Sequence, residues 1–194
     1  SSKDFNTSKI NDANKFVKKY KSADVLVLNT GGPPPTDFYT ISNDDWLNYF
    51  NQLFLSFTII LRDFKINKNG FIFLVSSLHI REINPNLVIS NSLRVAFWSL
   101  LKSLTDTYAE KNISCINIAP GPIKTKRLLN LVDDMEKFEE SLPMKRAGNP
   151  DEIGRFDSVV AGCGFAVTLA RMSIYDILQA THCIWPLVAP DEHV

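Results

Sequence analysis

The chain has 194 residues, of which 45% are hydrophobic and 22% are charged, and its formal net charge is zero. This length most simply forms one domain with a sizeable core, and the composition is ordinary for a globular protein. The lack of a basic excess argues against nucleic acid and against a membrane surface as partners. The apolar run at residues 159–170 is too short to span a bilayer. Three widely spaced cysteines without a CxxC pair favour a reducing, cytoplasmic setting.

Helical and extended segments alternate along the chain. Apolar residues at helical spacing predict helices at residues 8–21, 44–64 and 86–111. Short apolar runs predict strands at residues 24–28, 71–75 and 114–118. Asn43 or Asp44 is the expected N-terminal cap of the second helix, and a charged helix is expected over residues 127–141. The alternation predicts an α/β fold with a doubly wound parallel sheet between helices.

One stretch places three polar side chains at a characteristic spacing. Ser77 lies just beyond the strand predicted at 71–75, Ser90 follows thirteen residues later, and Arg94 four residues after that. A spacing of four places Ser90 and Arg94 on the same face of the helix at 86–111. These three side chains are therefore candidates for a shared site at the end of the strand.

Four further segments occur in an order that is typical of one known family. They are residues 4–6 (Asp-Phe-Asn), 24–32 (Asp-Val-Leu-Val-Leu-Asn-Thr-Gly-Gly), 120–125 (Pro-Gly-Pro-Ile-Lys-Thr) and 144–153 (Met-Lys-Arg-Ala-Gly-Asn-Pro-Asp-Glu-Ile). Together with the serine and arginine spacing, they resemble the short-chain dehydrogenase/reductase superfamily over residues 4–154. The run Ser-Asn-Ser-Leu-Arg at 90–94 is similar to an atypical branch related to 3-oxoacyl-carrier-protein reductases.

The resemblance implies a Rossmann-type fold, NAD or NADP as cofactor, and a small carbonyl or alcohol substrate. It implies Ser77, Ser90 and Arg94 as the catalytic set. The residues that it places at the cofactor are Asp4, Phe5, Asn29, Gly31, Arg94, Pro120, Gly121, Ile123 and Thr125. It also implies a homo-oligomer formed through the helices at 44–64 and 86–111.

The catalytic set departs from the family pattern. Ser90 stands where the family has tyrosine, Arg94 where it has lysine, and Leu53 where it has asparagine. A serine hydroxyl is a far weaker acid than a phenol, and arginine does not release a proton near neutral pH. We therefore expect weak or no turnover, with a non-catalytic binding or oligomerising relative as the alternative. A hydrolase with His79 as base to Ser90 is a further alternative, without support from a G-x-S-x-G elbow.

Both ends of the chain also depart from the family pattern. Residues 1–60 contain no G-x-x-x-G-x-G turn, only Gly31 and Gly32. Such a turn at a helix N-terminus forms the pyrophosphate cradle in dinucleotide-binding folds. We therefore expect the first βαβ portion to be missing. Residues 155–194 lack the family's closing turn and are expected to form a divergent tail of one domain spanning 1–194.

Overall fold

The computed structural model describes residues 5–155, which contain a three-stranded, fully parallel sheet. Its strands are β1 (Ser22–Leu28), β2 (Lys65–Val75) and β3 (Ser114–Ile118), and they are adjacent in that order. The predicted α/β fold of Rossmann type is confirmed. The predicted tail at 155–194 lies outside the described residues except for its first residue.

Helices precede, connect and follow the three strands. They are α1 (Ile10–Lys19), α2 (Asn43–Phe50), α3 (Ser56–Asp63), α4 (Val88–Ser103), α5 (Thr105–Ala109), α6 (Lys126–Leu131) and α7 (Met135–Ser141). Shorter 3₁₀ turns occur at Phe38–Thr40, Leu78–Ile80 and Pro85–Leu87. A further helix occupies residues 150–155. None of the helices within residues 5–155 has the length and apolarity that a membrane crossing requires.

The main core lies on one face of the sheet, under α3 and α4. Alternate residues of the strands supply its floor, including Leu28 and the fully buried Ile72. Phe57 of α3 and Phe97 of α4 pack edge to face over this floor, with ring centroids 5.3 Å apart. A smaller cluster on the opposite face contains Phe71, Phe73 and Ile118, with Ile116 and Ile153 packed against it. The last part of β2 is thus buried on both sides, as expected for a central parallel strand, whereas Val25 and Val27 of β1 are 41% and 47% exposed.

The predicted helix boundaries need correction at three places. The segment predicted as one helix over 44–64 contains a π-helical turn, Asn51–Leu55, between α2 and α3. The N-terminal cap of α2 is Ser42, and not Asn43 or Asp44. The Ser42 hydroxyl accepts a hydrogen bond from the amide of Asp45. The helix predicted at 86–111 is interrupted at Leu104, between α4 and α5. The helix predicted at 127–141 is broken at 132–134, where Asp134 caps α7.

Strand β2 is longer than predicted because it begins before a bulge. Ala23 pairs with Ile66 whereas Val25 pairs with Phe71, so the register shifts between these two pairs. Gly70 lies in the bulge, where an added Cβ would be 2.5 Å from the main-chain oxygen of Asp24. The Asn-Gly pair that predicts a turn before the strand therefore forms an irregularity within it.

Candidate active site at the carboxyl edge of the sheet

The candidate site lies where the loops after β1, β2 and β3 meet. In a parallel sheet all three loops leave from the same edge, which is where ligands bind in open α/β folds. The second and third loops are joined by main-chain hydrogen bonds from Ser76 to Ile118 (2.8 Å) and from Leu78 to Pro120 (2.9 Å). Helix α4 begins beside them and brings two of the predicted site residues to this edge.

Arg94 joins three elements at the centre of the site. Its Nε donates to Oγ of Ser90, one helical turn earlier, at 3.2 Å. Its Nη1 donates to the main-chain oxygens of Val75 and Ser76 at the end of β2, both at 3.3 Å. Its Nη2 donates to the main-chain oxygen of Thr30 in the loop after β1, at 3.2 Å. Most of the guanidinium donors are thus engaged by the protein itself.

The two predicted serine hydroxyls each accept one hydrogen bond. Oγ of Ser90 accepts from Arg94, and Oγ of Ser77 accepts from the amide of His79 at 3.2 Å. Ser90 is 7% exposed and Ser77 is half-buried. Because each hydroxyl accepts here, its own hydrogen can be donated to a ligand oxygen. The structure therefore brings Ser90 and Arg94 into direct contact, with Ser77 directly after Ser76, which Arg94 also contacts.

The loop after β1 covers Ser90 and Arg94 closely. An atom at the Cβ position of Gly32 would lie 3.3 Å from Nη2 of Arg94 and 3.5 Å from Oγ of Ser90. Arg127 of α6 holds this loop by donating to the main-chain oxygens of Gly32 and Pro33. A side chain at position 32 would displace one of these groups, which accounts for glycine at this position.

The opposite side of the same loop is held by the segment before α1 and by the π-helical turn. Nε2 of Gln52 donates to the main-chain oxygen of Gly31 at 2.8 Å. The hydroxyls of Thr7 and Thr30 share a hydrogen bond of 2.8 Å. Leu53, which stands at the family's asparagine position, is buried, so the amide that reaches the loop belongs to Gln52.

The electrostatic character of the site is positive. Burial, and to a lesser extent the positive charge of Arg127, lowers the pKa of Arg94 to about 10. Arg94 therefore stays protonated near neutral pH. Within residues 5–155, neither Arg94 nor Arg127 forms an ion pair.

His79 has a local structural contact. Its Nδ1 bonds the main-chain oxygen of Glu82 at 2.9 Å, which places the ring hydrogen on Nδ1. Its ring makes no hydrogen bond to Ser90 in the part of the chain that the structure describes. This geometry gives no support to the hydrolase alternative.

The residues predicted at the cofactor near β1 are dispersed. Phe5 packs against Phe16 in the core, with ring centroids 5.5 Å apart. Asn29 and Gly31 are exposed at the start of the loop after β1. Asp4 lies outside the described residues. The cofactor roles of all four remain predictions.

The residues predicted at the cofactor after β3 form an ordered turn. Pro120 accepts from the amide of Leu78, and Gly121 follows it half-buried. Ile123 forms a parallel bridge with Gly148. Thr125 begins α6, where its hydroxyl accepts from the amide of Leu128 at 3.4 Å. The roles of Pro120, Gly121, Ile123 and Thr125 also remain predictions.

The fit of a nicotinamide dinucleotide to these residues is partial. The turn at 120–125 and the hydroxyls of Ser77 and Ser90 lie at the same edge of the sheet, where the nicotinamide end would be held. Within residues 5–155, no strand leads through a glycine-rich turn into a helix N-terminus that could cradle the pyrophosphate. The described residues thus fit only the reactive end of the cofactor.

Two contacts of the site were missed from the sequence. Arg127 belongs to a segment interpreted as a solvated charged helix, and its partner Gly32 is 95 residues away. Gln52 lies beside the position assigned to the family's asparagine. The only sequence signal for either was proximity to a family segment: Arg127 follows Thr125 by two residues. Contacts over such separations depend on packing that spacing does not encode.

Comparison with known proteins defines the class of protein. The sequence matches the model of a family described as enoyl-(acyl carrier protein) reductase over residues 7–162, which is most of the chain. The chain belongs to this family, within the short-chain dehydrogenase/reductase superfamily. More particularly, it is a member similar to the 3-oxoacyl-[acyl-carrier-protein] reductases. The predicted resemblance is confirmed.

Curated relatives are similar over a part of their length. A 3-oxoacyl-[acyl-carrier-protein] reductase of Chlamydia pneumoniae is 26% identical over 146 residues, covering 73% of this chain and 59% of the relative. A 7alpha-hydroxysteroid dehydrogenase of Escherichia coli is 29% identical over 143 residues, covering 71% of this chain and 56% of the relative. The chain thus spans somewhat more than half the length of these relatives.

Solved structures share the fold at lower identity. A 3-ketoacyl-(acyl-carrier-protein) reductase from Brucella melitensis, complexed with NADH, has a TM-score of 0.71 at 22% identity, covering 84% of this chain and 71% of that one. An NADPH-dependent reductase involved in bacilysin biosynthesis has a TM-score of 0.74 at 21% identity, covering 82% and 70%. These likenesses support the Rossmann-type fold.

Proposed function

We propose that the protein is an oxidoreductase that acts slowly on a small carbonyl or alcohol with NAD or NADP. The observation that carries this proposal is the contact of Ser90 with Arg94 at the carboxyl edge, beside Ser77. The family resemblance assigns these residues to its catalytic positions, and the chain belongs to the family. The cofactor would supply or accept the hydride.

The described side chains have definite tasks in this proposal. The hydroxyls of Ser77 and Ser90 donate to the carbonyl oxygen of the substrate and orient it. Arg94, which donates to Oγ of Ser90, stabilises the negative charge that develops on this oxygen during reduction. The turn at 120–125 borders the same edge and excludes water from one side.

The same contacts account for slow turnover. Ser90 is a poor proton donor because its hydroxyl is much less acidic than the phenol of the tyrosine that the family pattern has at this position. Arg94 stays protonated near neutral pH. Its N–H groups already donate hydrogen bonds to the main-chain oxygens of Thr30, Val75 and Ser76. The site can therefore stabilise charge, but it supplies a proton inefficiently.

The test is an assay of NADH and NADPH oxidation with a panel of ketones, aldehydes and 3-oxo thioesters. Ser77→Ala and Ser90→Ala should each lower kcat/KM by about tenfold or more, because each removes an oxyanion donor. Ser103→Ala is the control, since its exposed hydroxyl lies at the end of α4 and donates to the main-chain oxygen of Ser99, one turn earlier in the same helix. Oxidation that is undetectable, or equal in all variants, would contradict the proposal.

A second candidate is a non-catalytic relative that acts by binding or self-association. The apolar exposure of α2 favours it, because Leu47 is 62% exposed and Phe50 is 37% exposed.

In either case we propose a homo-oligomer formed through residues 44–64 and 86–111. We also propose a cytoplasmic location and one domain over 1–194; the free thiol of Cys115 is consistent with a reducing compartment.

A further inference from the structure

Two arginines at the site differ from Arg62 and Arg146 in having no acidic partner within residues 5–155. Arg62 donates two hydrogen bonds to Asp63, at 2.7 and 2.6 Å. Arg146 donates two to Glu152, at 3.0 and 2.8 Å. Arg94 and Arg127 make no such pair within residues 5–155 and contact only main-chain oxygens and a serine hydroxyl. Their positive charges are therefore not neutralised by this part of the chain.

The two guanidinium groups converge on one point beside Gly32. An atom at the Cβ position of this glycine would lie 3.3 Å from Nη2 of Arg94 and 3.8 Å from Nη1 of Arg127. Oγ of Ser90 would lie 3.5 Å from the same atom. Two cations and a hydroxyl thus pack against the same glycine at the carboxyl edge of the sheet, and Arg127 is the exposed member of the three.

Donors remain available for a ligand. Arg127 is exposed and uses two of its five N–H groups on Gly32 and Pro33; the others have no acceptor in the described chain. The main chain already fixes both guanidinium groups, so binding a ligand would order few additional side chains. Burial and, to a lesser extent, the charge of Arg127 lower the pKa of Arg94, and an anion bound at the free donors of Arg127 would offset the second of these effects.

We infer that Arg127 and Arg94 form a receptor for an oxyanion, the carboxylate or phosphate group of a small molecule. The planar guanidinium fork of Arg127 matches either group with two parallel hydrogen bonds. This inference deepens the proposed function. Only the identification of the bound molecule as the substrate rests on that proposal. The substrate class is then a small oxo or hydroxy acid or a phosphate ester, with its reacting oxygen at Ser77 and Ser90.

The test measures anion binding to the full chain without NAD(P). Sodium phosphate and sodium acetate are titrated separately at constant ionic strength, and the amide resonances of Gly31 and Gly32 are followed by NMR. We expect saturable binding of at least one anion. Arg127→Gln should weaken it by about tenfold or more, because it removes a charge-assisted hydrogen-bonding group.

Lys126→Gln is the matched control, because it removes one positive charge from the adjacent, exposed position without changing the fork. It should leave the affinity nearly unchanged. Arg127→Lys keeps the charge without the fork and should give an intermediate affinity. If circular dichroism shows that Arg127→Gln is unfolded, this second variant tests whether Arg127 binds the anion. Tighter binding of phosphate would indicate a phosphate ester, and tighter binding of acetate would indicate an acid.

The inference is overturned if the wild-type chain binds neither anion saturably. It is also overturned if Arg127→Gln and Lys126→Gln weaken binding equally, since the effect would then be one of overall charge. Failure of the reductase assay leaves this binding result standing, so the two proposals fail separately.

Discussion

Arg94 connects the main core to the candidate site through its contacts to Ser90, Thr30 and the end of β2. Its position was predictable, because the four-residue spacing from Ser90 and the alignment of Ser77 with a strand end follow from helix and strand geometry. Its partners were not, because they are main-chain oxygens of two distant loops. The sequence thus identified the residue, whereas only the folded chain shows that its donors are already engaged.

Replacing Arg94 by lysine should destabilise the fold by about 2–4 kcal/mol, because one ammonium group cannot reach all the oxygens that the guanidinium contacts. Urea denaturation measures this change. Arg62→Lys is the matched control at an exposed position, and it should leave the midpoint unchanged. Equal midpoints for Arg94→Lys and the wild type would show that these contacts do not hold the loops together.

Glu152 should titrate well below an ordinary carboxyl. Hydrogen bonds from Arg146 and from the amide of Asn149 lower the pKa of Glu152 from 4.5 to about 2. A depressed folded-state pKa stabilises the fold above pH 4.5, and this contribution is lost as the pH falls towards 2.

Carbon-13 NMR of the Glu152 carboxyl should therefore give a midpoint near 2, and Arg146→Gln should move it upwards. Lys145→Gln removes a neighbouring positive charge and is the control. An ordinary midpoint in the wild-type protein would contradict the geometry at the start of the helix at 150–155.

At the scale of elements, the apolar patterns located the three strands and the helices at 8–21, 44–64 and 86–111, but not the interruptions of these helices. The unbroken apolar run at 71–75 predicted the carboxyl-terminal part of β2, which is buried on both faces. The π-helical turn at 51–55 and the break at Leu104 keep the same apolar spacing to within one residue, so periodicity does not reveal them. Asn69 and Gly70 indicated a turn because the same residue types suit turns and bulges.

The bulge in β2 requires glycine at position 70. A Cβ there would lie 2.5 Å from the main-chain oxygen of Asp24 and 2.8 Å from that of Asn67. Gly70→Ala should therefore destabilise the fold by about 1–3 kcal/mol, because two main-chain segments have to move. Thermal or urea denaturation measures the difference.

Gly31→Ala provides a matched control, since nothing lies within 4 Å of its Cβ position. It should change the stability by less than about 0.5 kcal/mol. If both variants were equally stable, β2 would not have the register described here.

At the scale of the whole molecule, the apolar surface of α2 bears on self-association. Leu47 is 62% exposed, and Phe50 lies one turn along and stacks on Phe54 with ring centroids 5.2 Å apart. We expect wild-type protein to sediment as an oligomer and Leu47→Asp to dissociate it, because a buried carboxylate opposes association. Tyr39→Asp, at a position that is 92% exposed outside these helices, should leave the oligomer intact. A wild-type monomer at every concentration would contradict the proposed interface.

Family membership and fold were predictable because several ordered segments and the alternation of elements are encoded locally. The activity was not, because it depends on how Arg94, Arg127 and the loop at 30–33 share one small region. Ser77, Ser90 and the turn at 120–125 are the residues that we propose for the reactive end of a dinucleotide, whereas a cradle for its pyrophosphate is absent from residues 5–155.

The most direct test of the proposed oxidoreductase function is the binding of NADH and NADPH to the 194-residue chain, followed by calorimetry or by cofactor fluorescence. We predict saturable binding of at least one cofactor, weakened by Gly121→Val in the turn at 120–125 and unaffected by Lys126→Gln. The absence of binding up to millimolar cofactor would contradict the oxidoreductase proposal and leave the non-catalytic relative as the remaining candidate.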